Sequence, residues 1–412
     1  MVYEKRFDNG LRLVVNKMEG MMSVSMGIIV GAGGATETDA QDGISHFIEH
    51  MQFKGTNLRN AFQISDAFDR IGAQVNAFTG KDVTCYYSKS TIDHATEAFE
   101  LLSDLFLNAT YPEDEIVREK GVICEEIAMN EDTPEDLCLD QLATAFYGND
   151  NYGRNILGPV ENVNGFTVED VAAYKSAWYT PENIVISFAG GVDFKTAETL
   201  VESYFGALKK GNFKRQEKKI LLQRKSLVTN KPVEQMHVGI AYPTVSRWDK
   251  LSEAVRAVNG VLGGNMSSRL FQEVREKQGL AYSVYSYVSS YEEIGSLIVY
   301  AGVNASKLEQ AYDSIGRVID EIRKNGVTED EFLRSREQMK SGMFFSNENT
   351  SSQMLLYGKH LLYTDTIFNF QEKLDELNAL SLKDVNEALE GMFNEKDKAV
   401  SLIGNTDKPL PF

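Results

Sequence analysis

The sequence predicts an α+β protein of two similar domains, each a mixed sheet packed with helices, related as an internal repeat. Three observations predict it. The chain has 412 residues, which is more naturally two cores than one. Short alternating runs of strand character are interleaved with longer runs whose apolar residues recur at helical spacing. Segments of the first half also recur in the second. Thr167–Val171 followed by Ile184–Asp193 parallels Ser381–Val385 followed by Ala399–Asp407, and Tyr111–Ile116 parallels Val327–Phe332.

Tyr3 to Lys17 reads as two strands around the turn Asp8-Asn9-Gly10. Met22 to Val30 is a third. Gly31, Gly33 and Gly34 follow it, but a polar loop comes next where a dinucleotide fingerprint needs a helix. That reading is rejected, and the glycines are expected to permit a tight bend. A helix from about Ser45 is expected to close near Phe53, with Gly55 as its C-terminal cap. Asn60 to Ile71 has an amphipathic helical pattern. Gln74 to Ser88 alternates and breaks at Gly80-Lys81-Asp82, a hairpin. Ile92 to Leu107 and Glu113 to about Met129 are helices, the second after the start signal Tyr111-Pro112. Pro134 opens a further helix to about Tyr147. Val168 to Tyr179 is helical, Ile184 to Phe188 a buried strand, and Thr196 to Leu208 helical. Lys209 to Lys231 carries nine Lys and Arg and one acid, Glu217. In an acidic chain this reads as a solvated basic linker, 209–231, between domains 1–208 and 232–412.

Composition excludes several classes. Hydrophobic content of 42% and charged content of 25% are ordinary for a globular protein. A net charge of −18 argues against nucleic acid and against an anionic membrane surface as partners. No run of membrane-spanning length occurs, and the start lacks an apolar signal core. Cys85, Cys124 and Cys138 are an odd number with no Cys-x-x-Cys pair. They read as buried or half-buried thiols in a reducing compartment, with the cytoplasm as the expectation.

The residues that carry chemistry are Ser45-His46-Phe47-Ile48-Glu49-His50-Met51. On a helix His46 and His50 lie four apart and share a face, so both imidazoles can reach one cation. Glu49 stands beside the second histidine. This is the zinc-hydrolase arrangement His-Glu-x-x-His in reverse. Zinc with one position left open brings the pKa of water to about 7, and an adjacent carboxylate can move the proton. Two histidines four apart are often just a polar helix face. Here two of the five histidines in the chain stand in one motif, which favours a metal site. A third ligand is needed, and the helix Glu113 to Met129 offers carboxylates. Glu119 and Glu126 are seven apart and share a face, with Glu125 turned about 100° from Glu126. One could ligate and another hold a histidine or water from behind. The alternative is a solvated acidic face.

His46-x-x-Glu49-His50, followed by Glu119 and Glu126, resembles the pitrilysin/insulinase family of zinc peptidases, in its short-chain subgroup with the mitochondrial processing peptidase subunits and bacterial relatives. The interval from His50 to Glu126 (126 − 50 = 76) is in keeping with that family. The resemblance implies one Zn²⁺ per chain on His46, His50 and Glu126, Glu49 as the base, and Glu119 as a supporting carboxylate. It implies that Asn76-Ala77-Phe78-Thr79 is an edge strand that pairs with an extended peptide substrate. Arg275 and Tyr282 resemble the family's Arg/Tyr pair, which binds substrate and steadies the tetrahedral intermediate. The expected assembly is a homodimer, a clamshell in which that pair acts across to the opposite chain, on unfolded peptides. The other readings are a non-catalytic peptide-binding or scaffold member, and a catalytic subunit that needs a separate partner. Gln52 departs from the apolar residue usual in relatives.

Overall fold

The computed structural model describes residues 1–149, 151–211, 213 and 220–406. Lys214, Arg215, Lys218 and Lys219 of the expected linker, and Asp407, lie outside the described residues. The strands are β1 Val2–Arg6, β2 Arg12–Lys17, β3 Ser23–Val30, β4 Gln74–Thr79, β5 Thr84–Thr91, β6 Ile184–Gly190, β7 Ser226–Asn230, β8 Gln235–Thr244, β9 Ala281–Ser290, β10 Gly295–Asn304 and β11 Ala399–Gly404. The helices include α1 Ile44–Met51, α2 Glu113–Asp132, α3 Pro134–Tyr147 and α4 Thr350–Thr364.

The internal repeat is visible in the two sheets. The first runs β1-β2-β6-β3-β5-β4 and the second β7-β11-β8-β10-β9. Leaving out β1, strand follows strand in the same order. The one parallel pair also falls in the same place, β2 with β6 in the first and β7 with β11 in the second. The other pairings are antiparallel, so each sheet is mixed. The chain divides into two compact units, Met1–Ile127 with Asn155–Glu217 and Phe344–Asn369, and Ala128–Arg154 with Lys218–Met343 and Phe370–Phe412.

These units differ from a single division at 209–231. The first sheet is buried on both faces. Leu13, Val15, Met26 and Ile28 pack into one core cluster, while Val14 and Ile29, pointing the other way, pack with Met354, Tyr357 and Leu361 of α4. A sheet buried on both faces needs a cover on each. For the second face that cover is α4, which comes from the far half of the sequence. Glycine makes the close approach possible: a Cβ at Gly27 would stand 2.3 Å from Met354 Sδ, and one at Gly358 2.2 Å from Ile29 Cδ1. The second unit uses the reciprocal device, taking α3 from the first half against β8 and β11. Proline at the first position of α3 is where its missing N–H costs nothing.

One local expectation is corrected. Helix α1 ends at Met51 with Gln52 as its C-cap, so Gly55 does not cap it. Gly55, at φ +145°, instead turns the chain into a short bridge with Asn60. The glycines after β3 stand where the chain bends, at Gly31 and Gly33, and also serve close approach. Gly33 is extended, and a Cβ there would stand 2.2 Å from the Gly80 carbonyl oxygen.

Candidate metal centre

Helix α1 has eight residues, too short to persist alone, so its surroundings must hold it. Ile44, Phe47, Ile48 and Met51 enter the first core cluster, and Phe47 meets Phe166 with ring centroids 5.5 Å apart. At its start Gly43 takes φ +95°, the left-handed conformation that favours glycine, and a Cβ there would stand 2.7 Å from the Leu157 carbonyl oxygen. The buried carboxylate of Glu37 accepts from the Gly43 and Ser45 backbone N–H groups, each at 2.8 Å. An anion at a helix N-terminus satisfies orphan donors and suits the helix dipole. At the other end Gln52 is fully buried. Its Nε2 donates to Phe106 O at 3.1 Å and its Oε1 accepts from the Tyr111 hydroxyl at 2.7 Å. Sequence reading missed Glu37 and gave Gln52 no role.

On this fixed helix the His46 and His50 rings lie one turn apart, edge to face, with centroids 4.5 Å apart. Helix α2 carries the partner carboxylates. Its buried residues Ile116, Glu119, Ile123 and Ile127 follow helical spacing, so a carboxylate stands within an otherwise apolar stripe. Glu126, next to that stripe, places Oε2 3.7 Å from His46 Nε2 and 3.6 Å from His50 Nε2. The ligand atoms of His46, His50 and Glu126 all lie within 4.8 Å of one another. Atoms about 2.05 Å from a tetrahedral zinc stand roughly 3.3 Å apart, so the two distances from Glu126 to the histidines fit that ion with a small contraction.

Two neutral imidazoles and a carboxylate are a donor set typical of catalytic zinc. Burial, with His50 beside it, pushes His46 down to about 3, so it is neutral at pH 7, the form that ligates. His50 Nδ1 stands 2.7 Å from Glu119 Oε1, the contact that orients ligating histidines. His46 departs from this pattern. Its Nδ1 is buried and has no hydrogen-bond partner among the described residues, so no hydrogen bond at that nitrogen orients the ring. Burial would push the Glu119 carboxyl up, but hydrogen bonds from His50 and Lys54 outweigh it and hold the group below its ordinary range.

Glu49 lies on the same helix and its Oε2 accepts from the hydroxyl of Thr79. Burial raises its pKa, and the Thr79 hydrogen bond and His50 offset only part of that. A carboxylate raised from its ordinary value is better matched to proton transfer near neutrality than an unshifted one. Thr79 ends β4, the edge strand of the first sheet, which also carries Asn76, Ala77 and Phe78. The Ala77 N–H is bonded to its neighbour's side chain, Asn76 Oδ1, at 2.8 Å, so it is directed away from β5 toward the open edge. The structure thus brings five expected residues of the first unit to one place, His46, Glu49, His50, Glu119 and Glu126, with Thr79 of the edge strand bonded to Glu49.

Within the second unit, Arg275 lies on a short π-helical segment, Phe271–Lys277, and Tyr282 is the second residue of β9. The Arg275 guanidinium stands 5.5 Å from the Tyr282 ring centroid, so the pair is local. Tyr282 is 78% exposed, which rules out a core aromatic. Cys85 and Cys138 are buried and Cys124 half-buried, free thiols as expected. Among the described residues no helix is long and apolar enough to cross a membrane.

Comparison with known proteins agrees with this geometry. The family model described as "Insulinase (Peptidase family M16)" matches residues 12–160, and the one described as "Peptidase M16 inactive domain" matches residues 165–339. The uncharacterized zinc protease YmxG of Bacillus subtilis is 41% identical over 404 residues, 98% of this chain and 98% of its own length. An uncharacterized zinc protease of Streptomyces coelicolor is 33% identical, covering 96% of this chain and 88% of that protein. Two solved structures share the fold at 21% identity. A protease from Helicobacter pylori has TM-score 0.89, covering 98% of this chain and 99% of that one. A peptidase M16 inactive domain from Pseudomonas fluorescens has TM-score 0.91, covering 100% and 99%. The two-domain architecture, the His46-x-x-Glu49-His50 helix and similarity along nearly the whole chain therefore lead to one conclusion: this chain belongs to the insulinase family of zinc proteases, peptidase family M16.

Proposed function

We propose that this chain is a zinc-dependent endopeptidase that hydrolyses unfolded peptides, acting in the cytoplasm as a homodimer. One observation carries the reading: the base candidate Glu49 is hydrogen-bonded to Thr79 of the open edge strand β4 while sharing a helix with His46 and His50. Substrate backbone and proton-transfer group are thereby tied to one place.

When bound, zinc supplies a Lewis acid that polarises the scissile carbonyl and makes water acidic enough to attack at neutral pH. His46, His50 and Glu126 would hold it, and Glu119 orients His50. An extended peptide adds to β4 beside Asn76, Ala77, Phe78 and Thr79, which recognises backbone and so tolerates many sequences. Glu49 takes a proton from the attacking water as the new C–O bond forms. It then passes that proton to the amine as the C–N bond breaks, so atoms and charge balance. Arg275 and Tyr282 of the opposite chain donate toward the developing oxyanion, and the two chains enclose the peptide as a clamshell. The free cysteines suit a reducing compartment.

The test is cleavage of a quenched unstructured peptide by wild type, Glu49→Gln and Arg275→Ala, alone and as an equal mixture of the two variants. Wild type is expected to cut the peptide and not a stable folded domain. Each variant alone is expected to be nearly inactive. After subunit exchange the mixture recovers roughly a quarter of the wild-type rate, because half the dimers are mixed and each has one complete site. An inactive mixture would remove the shared-site dimer. Zinc-loaded wild type that cuts no peptide would shift the reading to a subunit needing a partner, or to peptide binding alone.

A further inference from the structure

Glu119 has two oxygens and a separate donor on each. Oε1 faces His50 Nδ1 at 2.7 Å, and Oε2 meets Lys54 Nζ at 2.6 Å. Its side chain is 3% exposed and that of Lys54 27%. Lys54 lies just beyond the end of α1, so one short segment supplies both the imidazole and the ammonium that clasp this carboxylate. The carboxylate itself comes from α2, which also carries Glu126.

A carboxylate bonded through one oxygen can still turn about its last side-chain bond. Bonded through both, it cannot. With Oε2 held, Oε1 is fixed as the acceptor for Nδ1–H, and that bond decides which nitrogen of His50 keeps its proton. Nε2 then presents its lone pair toward Glu126 Oε2, 3.6 Å away. We propose that Lys54 is a positioning residue of the metal centre, holding Glu119 so that His50 Nε2 stays aimed at the ion. This rests on the reading of His46, His50 and Glu126 as zinc ligands. Among the described residues Lys54 pairs with Glu119 and with none of His46, His50 and Glu126, so it acts through Glu119. Its partial exposure lets water solvate Oε2 when the ammonium is removed, so the fold survives the substitution while the orientation does not.

The experiment measures zinc affinity of the full chain by competition with a chromogenic chelator, beside thermal unfolding of the metal-free proteins. The variants are K54M, K54R, E119Q and the double variant K54M/E119Q. K54M is expected to bind zinc about ten-fold more weakly than wild type, and E119Q ten- to about a hundred-fold more weakly. The double variant is expected to bind no more weakly than E119Q, since Lys54 has nothing left to act through. K54R, which keeps a cation on Oε2, is expected within about three-fold of wild type, and metal-free K54M is expected to unfold within a few degrees of wild type. If K54M does not fold, K54Q takes its place with the same expected loss. Wild-type affinity in K54M or K54Q, or additive losses in the double variant, would overturn the role of Lys54 and leave the metal centre standing. A wild type that binds no zinc would overturn the metal centre itself.

Discussion

Thr79 shows how a single hydroxyl joins two elements. It ends an edge strand and donates to Glu49 Oε2 on α1. Thr79→Val keeps the shape and the strand preference but removes the donor. Hydrogen bonds to charged groups are worth about 1.5–3 kcal/mol, so kcat is expected to fall by roughly ten- to a hundred-fold, with zinc content unchanged. The sign of the pH effect follows from the same bond. The donor favours the carboxylate and lowers its pKa, so its loss raises the pKa of a group that burial has already raised. The acidic limb of kcat/KM is expected to move to higher pH, and an unmoved limb would show that Glu49 is not the titrating base. At this scale much was legible. His46, Glu49 and His50 declare themselves by spacing within one helix, and Glu119 with Glu126 by spacing within another. What was not legible depends on tertiary approach: the Thr79 hydroxyl reaches a partner thirty residues away in sequence, and Lys54 reaches a different helix.

Among elements, α1 illustrates why a motif is not yet a site. Eight residues cannot hold two imidazoles in place by themselves. Glu37 secures the start, and Gln52 with Tyr111 secures the end. Behind Gln52 stands Lys175, whose ammonium donates to the Tyr111 hydroxyl at 2.6 Å and to Phe106 O at 3.3 Å. The rings of Phe106, Tyr111 and Tyr179 lie within 5.8 Å of it. The stem of this lysine is partly exposed, but its ammonium is enclosed, and burial lowers its pKa to about 7. In the unfolded chain a lysine titrates near 10.4, about three units higher. Between those values the unfolded state binds more protons, so stability rises with pH. The cost is fully present below about 7 and relieved as pH passes the unfolded value. Thermal unfolding at a series of pH values should therefore show wild type gaining several degrees on Lys175→Met between about pH 7 and 10. Parallel curves would contradict the account. The helices and hairpins around α1 were legible from periodicity and turn residues. The capping of α1 was not, because Glu37 and Gln52 act through folded contacts that no local pattern marks. Gly55 misled because a glycine shortly after a helix is usually its cap.

For the whole molecule, the repeat was legible as matching segments and emerges as matching strand order in two mixed sheets. That α3 and α4 are each taken from the opposite half of the sequence was not legible, because helix periodicity identifies an apolar face without saying which sheet it covers. Only one unit carries the His46-x-x-Glu49-His50 helix, and Glu126, from the part of α2 that lies in that unit, stands beside both histidines. In the proposed mechanism His46, His50 and Glu126 hold zinc, and Glu49 moves the proton without holding it. The most direct test is zinc per chain by elemental analysis, with peptide cleavage assayed on the same samples, for wild type and Glu49→Gln. The account predicts about one zinc per chain in both and cleavage by wild type alone. Loss of zinc from Glu49→Gln, or undiminished cleavage by it, would contradict the division of roles; wild type without zinc would contradict the site.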